Sequence, residues 1–163
     1  MKNNIYLFIV ILLVVSCSNN NVQELKEASD ITITPNLLYK YEDFNNVGGE
    51  GYSFYVYKLN DLEKKKILNA IQKNNICHTK QNYQQKNWIK NVLNKNDIIQ
   101  ITLGYYTKDK ILSKEQERLK EKFKSNKNYY CYYVKKIDNN IISIILLYID
   151  TKENKLYIIK NDV

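Results

Sequence analysis

Residues 129–160 read YYCYYVKKIDNNIISIILLYIDTKENKLYIIK, and this stretch decides the fold. It contains three runs of β-branched and aromatic residues, which favour strands: 129–135, 141–149 and 155–160. The first two runs are joined by Asp-Asn-Asn at 138–140, and the second connection is also short and polar. Connections of this kind join antiparallel neighbours, so the stretch predicts a three-stranded meander.

The middle run is apolar on both of its alternating faces. A strand with this pattern is typically covered on both sides, so we place residues 141–149 centrally in the sheet. Upstream, residues 37–42 and 52–59 predict a hairpin that is joined by the glycine-rich segment 45–51. Residues 98–106 are β-branched and aromatic, and they predict a further strand.

Helices are predicted between these strands. Asn60 and Glu63 form a capping box that opens a helix at about residues 61–73. Apolar residues four positions apart around Trp88 predict a second, short amphipathic helix. Residues 22–29 predict another short helix near the N-terminus.

A charged helix precedes the meander. Ser113 and Gln116 form a second capping box, which opens a helix that runs to about Lys124. Together the elements predict the α+β class. We expect a mostly antiparallel sheet with a C-terminal three-strand meander and two or three helices packed on one face.

The N-terminus carries an export signal. Lys2 is followed by eleven uncharged, apolar residues, 5–15, which are too few to span a bilayer but suit the central region of a signal peptide. Residues 14–17, Val-Val-Ser-Cys, resemble the lipobox of bacterial lipoproteins. The resemblance implies that Cys17 is joined to diacylglycerol, that cleavage follows Ser16, and that Cys17 becomes the acylated N-terminus.

This signal predicts the domain organisation of the chain and its location in the cell. We expect a lipoprotein signal peptide at 1–16, a polar tether from lipidated Cys17 over 17–34, and a single α+β domain at 35–163. Two or three acyl chains hold a protein stably on a membrane. The expected location is the bacterial cell envelope, facing the periplasm. By resemblance to lipoproteins, the absence of an aspartate directly after Cys17 slightly favours the outer membrane.

The chain is basic, with a net charge of +8. Arg118 is its only arginine, and the arginine fork is what phosphate and guanine recognition favours, so we expect no nucleic-acid partner. Much of the basic run lies on the predicted charged helix, which includes Lys120 and Lys124. Such a run is usually a solvated helix face, and the functional alternative is attraction to anionic lipid headgroups.

Tyrosines are concentrated around Cys131, and Tyr130 and Tyr132 belong to this group. Tyrosine fits a half-buried sheet surface, but it is also enriched in protein interfaces. The candidate binding surface therefore contains Tyr130 and Tyr132 together with Lys120 and Lys124.

The two remaining cysteines, Cys77 and Cys131, allow a disulfide outside the cytosol. The bond would close a loop of about 55 residues and stabilise the fold by about 4 kcal/mol. The alternative is two small buried side chains. His78 adjoins Cys77, but neighbouring residues on a strand face opposite sides, and two ligands fall short of a metal site. We expect no catalytic residues, no metal and no cofactor.

Three carboxylates, Glu42, Asp43 and Glu50, flank the glycine turn at 48–51. Paired carboxylates can act as general acid and base, although such residues more often solvate a turn.

The body of the chain also resembles a group of small exported bacterial proteins of uncharacterised function. The resemblance rests on Gly-Gly-Glu-Gly at 48–51 before an aromatic strand, on Trp88 and on the last hairpin at about 150–157. The group usually has Gly-Asp-Gly in the turn and a proline near the tryptophan, and this chain has neither. The resemblance implies a shared fold and no activity.

These signals favour a monomeric, lipid-anchored, non-enzymatic envelope protein that binds another macromolecule. Within this class, the chain could itself be an inhibitor or immunity-type partner of a toxin. The alternative is an envelope hydrolase or glycan-binding module that uses Glu42, Asp43 or Glu50.

Overall fold

A computed structural model describes residues 22–29, 31–44, 51–74, 80, 82–90, 97–125 and 127–163. Within these ranges six strands form one antiparallel sheet, accompanied by four helices, which confirms the α+β class. In chain order the elements are α1 (Gln23–Ser29), β1 (Asn36–Phe44), β2 (Gly51–Lys58), α2 (Asp61–Asn74), β3 (Gln84–Lys90), α3 (Asp97–Leu103), α4 (Lys110–Lys122), β4 (Tyr129–Ile137), β5 (Asn140–Asp150) and β6 (Lys155–Asp162).

The sheet has the strand order β1-β2-β6-β5-β4-β3, and the C-terminal meander of β4, β5 and β6 forms as predicted. The turn between β4 and β5 contains Asp138 and Asn139, whose φ angles are 50° and 66°. Aspartate and asparagine tolerate this left-handed conformation better than other non-glycine residues, which explains why they occupy the turn.

Both faces of the sheet are covered. Leu147 of β5 belongs to a core that includes Ile67 of α2, whereas Leu146 belongs to the opposite core with Leu103 of α3 and Leu119 of α4. The central position of β5 explains its two apolar faces. The expected packing of helices on one face is wrong, because α1 and α2 cover one face and α3 and α4 cover the other.

Two predicted elements have the opposite secondary structure. The segment around Trp88 is β3, since it pairs with β4, and the segment predicted as a strand at 98–106 contains α3. In α3 the buried residues are Ile99, Thr102 and Leu103, which is the three-to-four spacing of a helix face. A short apolar run fits either structure, and packing against the rest of the molecule decides between them.

The predicted capping box at α2 is confirmed. The Glu63 backbone N–H donates to Asn60 Oδ1 at 2.9 Å, and the Asn60 N–H donates to Glu63 Oε2 at 2.9 Å. Glu63 Oε1 also accepts a hydrogen bond from the backbone N–H of Thr34 at 3.2 Å. One side chain therefore begins the helix and holds the preceding segment of chain against it.

The start of α4 differs from the predicted one. Asp109 is the N-cap, and its Oδ1 accepts hydrogen bonds from the backbone N–H groups of Ile111 and Leu112, each at 2.8 Å. Ser113 lies inside the helix, so the predicted capping box of Ser113 and Gln116 is wrong. The aspartate takes precedence because its carboxylate satisfies two otherwise unpaired N–H groups at once.

The N-terminal segment belongs to the folded body. Its apolar side chains are buried in the core beneath α1 and α2: Val22, Leu25, Ala28, Ile31 and Ile33. Glu24 accepts hydrogen bonds from Lys80 at 2.7 Å and from Lys160 of β6 at 2.8 Å. The expected tether is therefore corrected from Val22 onward, because the apolar side chains of this segment pack into the domain; residues 17–21 lie outside the described residues.

Candidate functional site

A cleft of about 260 Å³ opens where β1, β2 and β6 end together. Asp43 pairs with Tyr52 across β1 and β2, and Tyr52 pairs with Asn161 across β2 and β6. Paired residues of adjacent strands share one face, so these three side chains form a row on the side of the sheet that α3 and α4 cover. Tyr105 and Ile101 complete this side of the cleft.

Two stacked rings form the aromatic part of the cleft. The ring of Tyr105 lies on that of Tyr52, with centroids 4.1 Å apart and an interplanar angle of 3°. Tyr52 is 1% exposed, whereas Tyr105 is partly exposed, and both residues line the cleft. Gln116 of α4 fixes the pair, because its amide donates to the Tyr52 hydroxyl and to the Tyr105 carbonyl, each at 3.2 Å.

Asp43 is the acceptor for two phenols. Its Oδ2 accepts a short hydrogen bond from Tyr105 and a longer one, 3.5 Å, from Tyr41. Burial and then the hydrogen bond to Asp43 raise the pKa of Tyr105 far above its usual value of 10.0. The Tyr105 hydroxyl is therefore protonated at neutral pH, and the hydrogen bond that it donates orients the Asp43 carboxylate.

The same side of β1 is tied to the start of α4. Tyr39 donates to Asp109 Oδ1 at 3.4 Å, and burial together with the charge of Asp109 raises the pKa of Tyr39 to about 12. Thr107 donates to the Tyr41 hydroxyl at 3.3 Å and accepts from the Asp109 backbone N–H at 3.0 Å. This network fixes the segment from Tyr105 to Asp109 against β1, so the cleft is formed in advance of any ligand.

Two acceptor atoms remain available to a ligand. Asp43 Oδ1 and Asn161 Oδ1 accept no hydrogen bond from any part of the chain that the structure describes, while Asn161 Nδ2 donates to the Ile101 carbonyl at 3.4 Å. A ring face beside oriented oxygen acceptors suits a ligand that carries hydroxyl or amide groups.

The three carboxylates predicted as a group do not act together. Alternation along β1 directs Glu42 to the opposite face from Asp43. There Glu42 pairs with Lys40 at 2.7 Å and accepts a short hydrogen bond from Tyr55. Glu50 lies outside the described residues. Of the predicted acidic residues that are described, only Asp43 lines the cleft.

The predicted tyrosine surface is partly buried. Tyr130 is 4% exposed and packs its ring edge-on against Phe123, the C-cap residue of α4, with centroids 5.2 Å apart. Tyr130 is therefore a core residue, which corrects its place in the candidate surface. The apolar face of α4 covers this part of β4 and removes the ring from solvent. Tyr132 lies on the same face and remains partly exposed.

The predicted lysines are both paired: Lys120 is half-buried on α4, and Lys124 is exposed just after it. Lys120 contacts Glu117 at 2.7 Å and Lys124 contacts Glu121 at 2.7 Å, one helical turn away in each case. These local pairs offset the positive charge that the sequence places here, so the helix is less basic as a surface than its lysines alone indicate.

Of the two predicted disulfide cysteines and the histidine, the structure describes only Cys131. Cys131 is fully buried in the core beneath α1 and α2. Cys77 and His78 lie outside the described residues, so the disulfide stays a prediction. The cleavage site at Ser16 and the lipidation site at Cys17 also lie outside them.

Sequence reasoning missed the residues that complete the cleft. The strand predicted at 98–106 includes Tyr105, although Gly104, directly after α3, indicates that a helix stops there. Asn161 is not among the predicted site residues; it is a buried polar residue near the end of β6. The sequence does not indicate which distant residues these side chains meet.

Comparisons with protein-family models, with curated proteins and with solved structures found no match. Across the described ranges, His, Cys, Asp and Glu side chains do not gather in a group of three that could hold a metal ion. In the same ranges each helix is too short or too polar to cross a membrane. A functional proposal therefore rests on two features, the predicted N-terminal signal and the cleft.

Proposed function

We propose that the mature chain is a monomeric lipoprotein of the bacterial cell envelope that acts by binding another macromolecule. The lipobox at residues 14–17 supports attachment through Cys17. The preformed cleft supports binding, because the Tyr105 ring and the Asp43 carboxylate are held in place by contacts from α4 and β1. A rigid site loses little conformational entropy when a ligand binds. The periplasm-facing side of the outer membrane is the proposed location.

Binding is preferred to hydrolysis on geometric grounds. Acid–base hydrolysis of a glycosidic bond needs two carboxyl groups that flank the same bond. Glu42 is directed away from Asp43, and Asp162, which borders the cleft, follows Asn161 and so alternates to the other side of β6. Asp43 is thus paired with phenols and not with a second carboxylate.

A glycan is the second candidate ligand, and the ring of Tyr105 favours it. Sugar rings pack their C–H faces on aromatic side chains and hydrogen-bond through hydroxyls to carboxylate and amide oxygens. The cleft offers one partly exposed ring beside Asp43 Oδ1 and Asn161 Oδ1. The cell envelope is rich in glycans, so the proposed location is consistent with a glycan ligand.

Neighbouring tyrosines provide a matched test of the cleft. Tyr105 lines the cleft, whereas Tyr106 is 83% exposed and is not among the residues that line it. Solubilised envelope would be passed over the immobilised wild-type protein, Tyr105→Ala, Tyr105→Phe and Tyr106→Ala. We expect Tyr106→Ala to retain the partner, Tyr105→Ala to lose about tenfold or more of it, and Tyr105→Phe to give an intermediate result. Equal retention by Tyr105→Ala and the wild type would exclude the cleft as the site.

The nature of the partner follows from a second assay with the same variants. Purified peptidoglycan sacculi would be mixed with each protein and sedimented. Co-sedimentation that depends on Tyr105 supports the glycan ligand. A protein captured from envelope in a Tyr105-dependent manner, without binding to sacculi, supports a protein partner, as expected if this chain is an inhibitor or immunity-type partner of a toxin.

A further inference from the structure

The outer surface of α1 and α2 carries a group of unpaired lysines. Four lysines are exposed there, and we call them the basic face: Lys26, Lys65, Lys66 and Lys73. Among the residues that the structure describes, none of the four forms an ion pair. Glu63 is buried, so the exposed side of α2 has no carboxylate from Leu62 to Lys73.

The opposite helix layer provides the contrast. On α4, Arg118 contacts Glu115 at 2.6 Å, and Lys120 and Lys124 have glutamate partners one turn earlier. Both layers are basic in sequence. Among the described residues Lys110 and Lys114 of α4 also form no ion pair, but the later basic residues of that layer are compensated locally, whereas all four lysines of the basic face are without an ion pair. Charge that is not offset locally acts on a partner at a distance.

The basic face is also the side of the domain that is joined most closely to the proposed anchor. Four residues separate Cys17 from Val22, and even a fully extended chain spans only ~17 Å over that interval. Val22 is 5% exposed, and Glu24 is bound by Lys80 and Lys160, so the chain is fixed to the body from this point. An acyl chain on Cys17 therefore keeps α1 within a short distance of the lipid headgroups.

We propose that the basic face rests on anionic headgroups of the membrane that holds Cys17. The inference depends on the proposed lipidation and extends it to the orientation of the domain. Each lysine near an anionic surface strengthens binding about fivefold. Leu62, which is 63% exposed on the same helix, adds an apolar side chain at the edge of the contact. The sheet face with the Tyr105 cleft then points away from the membrane.

Lysine footprinting tests the orientation on the intact protein. The processed, lipidated chain would be reconstituted into vesicles of phosphatidylcholine alone or of equal parts phosphatidylcholine and phosphatidylglycerol. Acetylation rates of individual lysines would be measured by mass spectrometry. On the anionic vesicles we expect Lys65, Lys66 and Lys73 to react several-fold more slowly than on the neutral ones, with Lys120 and Lys124 unchanged. High salt shortens the screening length to about 3 Å and should remove the difference.

Charge-reversal variants complete the test. Lys65→Glu with Lys66→Glu should abolish the protection of Lys73, whereas the matched control, Lys120→Glu with Lys124→Glu, should preserve it. A chain that floats with the vesicles but shows equal rates on both lipids overturns the orientation and leaves the anchor intact. A chain that floats with neither vesicle overturns the anchor and the orientation together.

Discussion

Replacement of Leu25 by alanine tests whether the N-terminal segment is part of the folded core. Leu25 is fully buried in α1, at a position that the sequence pattern assigned to a tether. The substitution removes three carbon atoms, which corresponds to about 2.4 kcal/mol of transfer free energy at about 0.8 kcal/mol per methylene. The cavity that remains adds to this cost, so we expect the free energy of unfolding to fall by about 3 to 4 kcal/mol.

Urea denaturation of the non-acylated body, residues 18–163, measures this loss. Trp88 is the only tryptophan and is 3% exposed in the same core, so its fluorescence reports the unfolding of that core. The matched control is Lys26→Ala at the neighbouring, exposed position, where we expect a change within about 0.5 kcal/mol. A loss below about 1 kcal/mol for Leu25→Ala would refute the packing of α1 into the domain.

Two further predictions concern polar side chains. Asp109→Ala should lower the free energy of unfolding by about 1 kcal/mol, measured by the same urea titration, because α4 loses its N-cap. The control Ser113→Ala, inside the helix, should change the free energy of unfolding little. Equal effects of the two substitutions would contradict the observed helix start. Burial alone would raise the pKa of Glu24, but the hydrogen bonds and charges of Lys160 and Lys80 outweigh it and hold the pKa below the usual 4.5. The stability that this group contributes is therefore present above about pH 4.5 and is lost as pH falls through the lowered pKa, so Glu24→Gln should flatten the pH dependence of the urea midpoint in that acidic range; an unchanged pH profile would argue against the ion pairs.

Local signals predicted the part of the fold that they control. The alternation of residues 141–149 and the turn residues Asp138 and Asn139 specify the meander within a few positions of chain. The capping box of Asn60 and Glu63 is equally local, because both partners lie within one helical turn. Such features depend on propensity and hydrogen bonding between near neighbours, which a sequence displays directly.

Features that depend on tertiary packing were predicted poorly. The segment at 98–106 has enough β-branched residues for a strand, but it meets the sheet through Ile99 and Leu103 and becomes a helix. The covering of both sheet faces follows from how the helices return to the sheet, which their own sequences do not specify.

Asp43 is the one cleft-lining residue that the sequence identifies as a candidate site residue. The other members of the cleft come from α3, β2, β6 and the segment after α3, and they meet because β1, β2 and β6 pair in one register. A shift of one residue would direct Asp43 to the opposite face. The strand pairing therefore creates the site, and the sequence of any one strand does not reveal it.

The state of Cys17 tests the proposed function most directly. The protein would be isolated from the membrane fraction of its bacterium, and its N-terminal peptide would be analysed by mass spectrometry. We predict a chain that begins at Cys17, lacks residues 1–16 and carries a diacylglyceryl thioether on the cysteine sulfur. A bare thiol at Cys17, or a chain that retains the leader, would contradict the proposal.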